Sequence, residues 1–229
     1  MVGDRALRSV HEPVARNSYR MSVTDGIQPS EQFTGVILAG GFSTRMGRDK
    51  AFICLDGRPL VQIAGEALRA AGMERVIVVG GDHAKLRDLG LEFVEDQFPG
   101  EGPLGAIITA LRASKSDNIM VLACDMPAID GATVSAISTS LLGDPDAHVA
   151  AAFVGGRRQV LTAAYRQTSR GALETNFAAG VRAPRHALEQ SGLNVIDVDG
   201  LSIERLVDVD NPQDLNRYDR PKASQEGSK

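Results

Sequence analysis

Cysteine is almost absent from this sequence: Cys54 and Cys124 are the only two. Two thiols cannot build a disulfide framework or a zinc-binding cluster. Both fall in apolar runs, Ala51–Leu55 and Ile119–Cys124, and both are expected to be buried free thiols. An excess of charge of one sign is missing too. The chain carries 25 Lys and Arg against 29 Asp and Glu, a formal net charge of −4, with no block of consecutive basic residues. That balance argues against nucleic-acid or membrane-surface binding while leaving room for a local anion site. No apolar run approaches the ~18–20 residues that span a bilayer. The first residues also lack the apolar core of a secretory signal, so the expected compartment is the cytoplasm.

What is present is an ordinary globular composition, 43% hydrophobic and 24% charged over 229 residues, which suits one domain with a sizeable core. Residues 1–32 are polar and without helical or strand periodicity; they are expected to form a flexible extension, with Met21 as an alternative start. Residues 221–229 are expected to be a disordered tail, which leaves 33–220 as the domain. Within it, strand-like runs (Gly35–Ala39, Arg75–Val79, Leu91–Val94, Ile119–Ala123) alternate with helix-like ones (Val61–Ala71, Leu104–Ala113, Gly131–Leu142). This alternation predicts an α/β fold whose mostly parallel sheet is covered by helices on both faces. Further on, His148–Phe153 and Gln159–Tyr165 read as a hairpin around Gly155–Arg158. Thr168–Ala178 and Ala183–Gln190 read as helices, and Leu193–Val198 and Leu206–Val209 as strands. Pro212 opens a last helix.

The stretch VILAGGFSTRMGRDKAF, Val36 to Phe52, carries the chemistry. It leaves a hydrophobic strand as a glycine-rich loop, and open α/β sheets bind ligands at the carboxyl ends of their strands. Gly40, Gly41 and Gly47 let a backbone approach an anion closely. Arg45, Arg48 and Lys50 supply three cations, enough to neutralise much of a polyphosphate. Neither a P-loop nor a dinucleotide fingerprint is present. A second candidate is Asp125, a carboxylate at the tip of the apolar strand MVLACD. Such a group is costly there unless solvated or paired with a cation, and Mg²⁺ favours one or two carboxylates together with phosphate oxygens.

The loop resembles the signature of the molybdenum cofactor guanylyltransferases, LAGG-x-S-x-RMG-x-DK, matched by Leu38–Gly41, Ser43, Arg45–Gly47 and Asp49–Lys50. That family lies within a wider group of nucleotidyltransferases, so the resemblance implies a Rossmann-like three-layer fold. The wider group often opens the loop LAAG, and the LAGG opening at Leu38–Gly41 therefore favours the guanylyl over the cytidylyl branch. Two more segments resemble the family in order and spacing. In VEDQFPGEGPLGAIITAL the resemblance assigns Asp96, Gly102, Pro103 and Gly105 to the guanine nucleotide, and MVLACDMPAI matches CD-x-P at Asp125. A weaker match, QVLTAAYR (Gln159–Arg166), falls on an acceptor-side strand. The resemblance implies Arg45, Lys50 and Asp125 as catalytic residues, with Asp125 holding Mg²⁺. Leu38, Ala39, Gly40, Gly41 and Lys50 would hold the nucleotide. The implied reaction transfers GMP from GTP to molybdenum-bearing molybdopterin with release of pyrophosphate.

The chain departs from the family at LVDVDNPQDL, where two asparagines typical of the guanylyltransferases are Asp208 and Asp210. Two carboxylates at i, i+2 on a strand share a face and could hold a second Mg²⁺ or meet a cationic group; alternatively Asp210-Asn211 caps the last helix, and Asp208 is more simply an ordinary acid. Arg157, Arg158, Arg182 and Arg185 are candidates for an anionic acceptor, although each taken singly reads as a surface residue. The alternatives left open are another small-molecule nucleotidyltransferase, with CTP or a different phosphorylated acceptor, and a catalytically silent nucleotide-binding protein.

Overall fold

FTGVIL, VIVV and NIMVLA are continuous apolar runs rather than alternating ones, the pattern of strands covered on both faces. The computed structural model, which describes residues 32–40, 49–209, 212–215 and 218, places these three at the centre of a seven-stranded sheet. In chain order the strands are β1 (Phe33–Leu38), β2 (Cys54–Leu55), β3 (Arg58–Pro59), β4 (Val76–Val79), β5 (Glu92–Val94), β6 (Asn118–Ala123), β7 (Val149–Val154), β8 (Arg157–Arg166) and β9 (Val195–Val198). The large sheet has the order β5-β4-β1-β6-β8-β7-β9. All its pairings are parallel except those of β8, which runs against both β6 and β7.

Side chains alternate along β1, so the sheet divides the interior into two apolar layers. Ile37 points toward the helices Leu60–Ala70 and Gly131–Gly143, whereas Val36 and Leu38 point toward Pro103–Ala113, Arg170–Ala178 and Pro184–Gln190. This is the three-layer α/β arrangement expected from the alternation of runs.

The β7–β8 hairpin closes on Gly155 and Gly156, at φ 58° and 74°, with Val154 paired to Arg157. A two-residue turn with both residues at positive φ matches the twist of the flanking strands. Because Thr162 pairs with Leu122, residues 157–161 of β8 run on past the end of β6. The hairpin turn therefore reaches the carboxyl rim of the parallel strands.

Three sequence expectations need correction. Leu206–Val209 is not a strand: Ile203–Leu206 is a 3₁₀ turn, and the residues after it join no sheet. Their contact is with the loop after β6, where Val209 N–H donates to the Asp125 carbonyl at 2.9 Å. The helix expected from Thr168 starts as a 3₁₀ turn, Gln167–Ser169, before Arg170–Ala178. Cys54 is exposed, not buried, while Cys124 is buried as expected. Cys54 lies on the β2–β3 hairpin, whose Leu55 faces inward, so the strand alternation turns the thiol out. That hairpin, turning at Asp56-Gly57, escaped the sequence reading although Asp-Gly is a strong hairpin signal.

Candidate active site

Four strand ends converge at the carboxyl rim, and each brings a candidate group. β1 is followed by Ala39 and Gly40, β4 by Gly80 and Gly81, β5 by Glu95 and Asp96, and β6 by Cys124 and Asp125. Leu38 and Ala39 are buried, while Gly40 is exposed. Gly80 has φ 75°, and a Cβ there would stand 3.1 Å from Gly40 Cα. Glycine at 80 is what allows the β1 and β4 tips to run side by side at the start of the loop. Gly41 and Arg45 lie outside the described residues.

Lys50 re-enters the described chain just after the loop and is anchored from below. Asp49 caps the 3₁₀ turn Lys50–Phe52 by accepting from Ala51 N–H at 3.1 Å, and Ala51 is fully buried. Lys85 sits over the Phe52 ring, 5.0 Å from its centroid. From this base the Lys50 ammonium reaches Asp125 Oδ2 at 3.3 Å, both side chains being about a fifth exposed (19% and 22%).

Asp125 is held from two directions. Its carbonyl accepts from Val209 N–H, and the following loop is tied to the C-terminal segment by Arg205, which pairs with Asp130 (3.2 Å) and donates to the Ala128 carbonyl (3.3 Å). Burial pushes the Asp125 carboxyl above its ordinary range; the Lys50 cation pulls it back, and the Asp208 carboxylate pushes it up again. Asp208, read from sequence as an ordinary acid, thus lies close enough for its charge to be felt at Asp125. Neighbouring Cys124 is no nucleophile, since burial drives its thiol to about 12.

Asp96 uses its two oxygens differently. Oδ1 accepts from Phe98 N–H (3.0 Å) and from the Thr109 hydroxyl (3.2 Å), whereas Oδ2 faces Gly40, 3.7 Å from where a Cβ would stand. Gly102 has φ 88° and caps the helix opened by Pro103, its space closed by the Arg182 carbonyl at 3.3 Å. Gly105 lets Phe98 lie against that helix: a Cβ would come within 2.7 Å of Phe98 Cβ. Phe98 continues into a ladder, with Phe177 at 4.6 Å between ring centroids, Arg112 over Phe98 and Arg182 over Phe177.

The arginines considered for an anionic acceptor are mostly committed. Arg158 donates two hydrogen bonds to the Asp197 carboxylate (2.6 and 3.0 Å), Arg182 pairs with Glu101, and Arg185 pairs with Glu189. Arg157 is exposed beside the hairpin turn. Asp210 lies outside the described residues. Thr109 and Asp208 are the groups that sequence reading passed over or undervalued. Neither carries a local signal, because each reaches the site only through tertiary packing. No helix among the described residues is long and apolar enough to cross a membrane.

Residues 35–195 match the family described as MobA-like NTP transferase domain. The chain is 45% identical over 101 residues to a protein of Opitutus terrae named probable molybdenum cofactor guanylyltransferase, a match spanning 43% of this chain and 50% of that protein. It is 30% identical over 153 residues to the molybdenum cofactor guanylyltransferase of Shewanella halifaxensis, covering 66% of this chain and 76% of that one. In three dimensions it resembles the crystal structure of molybdopterin-guanine dinucleotide biosynthesis protein A from Archaeoglobus fulgidus. The TM-score is 0.65 at 23% identity, over 81% of this chain and 96% of the other.

Proposed function

The chain belongs to the MobA-like NTP transferase family, and on that premise we propose that it transfers the guanylyl group of GTP to molybdenum-bearing molybdopterin. A phosphate oxygen of the acceptor attacks the α-phosphorus of GTP, forming a phosphoanhydride. The bond to the β-phosphate breaks, and its electron pair leaves on pyrophosphate. Little covalent help from protein is needed; positioning and charge neutralisation do most of the work.

The observation that carries the reading is the Lys50–Asp125 pair, 3.3 Å apart at the carboxyl rim of the sheet. Lys50, with Arg45, stabilises charge on the departing pyrophosphate. Backbone groups of Leu38, Ala39, Gly40 and Gly41 hold the nucleotide, and Asp96 Oδ2 accepts from the guanine edge. Gly102, Pro103 and Gly105 shape the turn and helix that bring Asp96 there.

A divalent cation fits the donor set. Asp125 is a mostly buried carboxylate with a second one, Asp208, felt beside it. Mg²⁺ takes one or two protein carboxylates and fills the rest of its shell with phosphate oxygens and water, a share this pair would supply. Asp125 is its holder in this reading, and when bound it neutralises phosphate charge. The compartment is the cytoplasm.

Pyrophosphate release, measured with GTP, CTP, ATP and UTP in Mg²⁺ with and without molybdopterin, tests the proposal. Release that needs both GTP and molybdopterin is expected. Release with CTP, or with another phosphorylated acceptor instead, would move the chain to a different nucleotidyltransferase, and no release with any pair would make it a silent binder.

A further inference from the structure

Thr109 sits inside the Pro103–Ala113 helix and is fully buried. A helical threonine usually turns its hydroxyl back to a carbonyl three or four residues earlier. Thr109 instead reaches out of its helix: Oγ1 donates to Asp96 Oδ1 at 3.2 Å and accepts from Gln97 N–H at 3.2 Å. Phe98 N–H supplies a second donor to Asp96 Oδ1. One carboxylate oxygen is thus saturated by donors of the protein itself. The other, Oδ2, has no hydrogen-bond partner among the described residues and faces Gly40. Without the hydroxyl, Oδ1 keeps only the Phe98 N–H, and the carboxylate is free to turn about its terminal torsion, which has broad minima.

We propose that Thr109 is a positioning residue for donor-base selectivity, locking the Asp96 carboxylate so that Oδ2 alone meets the base. The proposal rests on the reading of Asp96 as the guanine-side acceptor. Guanine offers an N1–H and an amine to such an oxygen, whereas the cytosine ring presents an acceptor at N3. Losing the lock therefore costs GTP and spares CTP. A residue that merely filled space or stabilised the helix would weaken both nucleotides alike.

The test is calorimetric titration of the full chain with GTP and with CTP in Mg²⁺, alongside thermal melting. Thr109→Val keeps the shape and removes the hydroxyl. It is expected to weaken GTP by about tenfold or more, the loss of one hydrogen bond to a charged group, with CTP changed by less than about twofold on the same scale. Thr109→Ser keeps the hydroxyl and should restore GTP affinity. If Thr109→Val does not fold at the assay temperature, Thr109→Ala carries the same expectation. Equal weakening of GTP and CTP, or unchanged GTP affinity, overturns the assignment. Asp96→Ala separates the two levels: if it leaves GTP affinity unchanged, the guanine reading fails and takes the proposal with it. If it weakens GTP while Thr109→Val does not, only the role of Thr109 fails.

Discussion

Replacing Gly80 and Gly90 by alanine, one at a time, isolates the cost of crowding at the tip of β1. The two glycines have similar backbones, φ 75° and 68°, so an added side chain meets comparable left-handed strain at either, roughly 1–2 kcal/mol. Their surroundings differ. At Gly90 a Cβ would meet nothing within 4 Å, whereas at Gly80 it would stand 3.1 Å from Gly40 Cα and 3.2 Å from Gly40 N. That neighbour is backbone and cannot swing away, because adjacent Ala39 is tied by its N–H to the Val79 carbonyl at 3.0 Å. Overpacking of this kind adds about 1–3 kcal/mol. For a domain of this size each kcal/mol moves the melting temperature by about 2–4 °C. Gly80→Ala should therefore melt about 2–12 °C lower than Gly90→Ala. Differential scanning calorimetry reads that difference directly, and GTP titration should show weakened binding for Gly80→Ala alone, since it displaces Gly40. Equal melting temperatures, or a Gly80→Ala protein that binds GTP normally, would refute the argument that glycine at 80 holds the loop in place.

Asp125→Asn should lower turnover by at least about a hundredfold, and near-normal pyrophosphate release from a folded variant would remove Asp125 from the mechanism. The same variant has a stability signature. Burial holds the folded Asp125 carboxyl above its unfolded value of 3.8, so between 3.8 and the raised value the folded state binds more protons and its stability falls as pH rises. The wild-type melting temperature minus that of Asp125→Asn, both in EDTA, should therefore fall as pH rises across that window; a constant difference would contradict it. Deleting residues 1–31 should change the melting temperature by less than about 2 °C, because that sequence has no periodic apolar face to bury, and a larger fall would show docking on the domain.

The parts of the fold legible in the sequence were those whose signal is local. The runs GVILA, RVIVV and IMVLA are apolar without alternation, and strands covered on both faces must read that way. Gly155-Gly156 marked its hairpin for an equally local reason. Val207–Val209 misled because an apolar alternation looks the same whether it joins a ladder or, as here, lies along the loop after β6 with one bond to Asp125. In the site, Lys50 and Asp125 were visible as residues, but their approach across 75 positions was not. The positions of Asp208 beside Asp125 and of Thr109 behind Asp96 depend on packing between distant segments, so nothing near them in the chain announces either.

The reversed direction of β8 separates what is fixed at the rim from what is free to change. A parallel neighbour would need a crossover of a dozen or more residues to arrive there, whereas the β7–β8 turn arrives directly on two glycines. The Asp125 carboxylate stands two residues beyond β6, a strand paired on both sides. The β7–β8 turn is held by its own strand pair and, one residue further on, by the Arg158–Asp197 ion pair. Lengthening a loop there costs about 0.6 kcal/mol for each doubling, a small toll against the stability of a domain. Longer or differently charged turns grafted between Val154 and Arg157 would put new side chains at the rim while the Lys50–Asp125 pair stayed where it is. In this architecture the ion pair and the turn can be altered independently of one another.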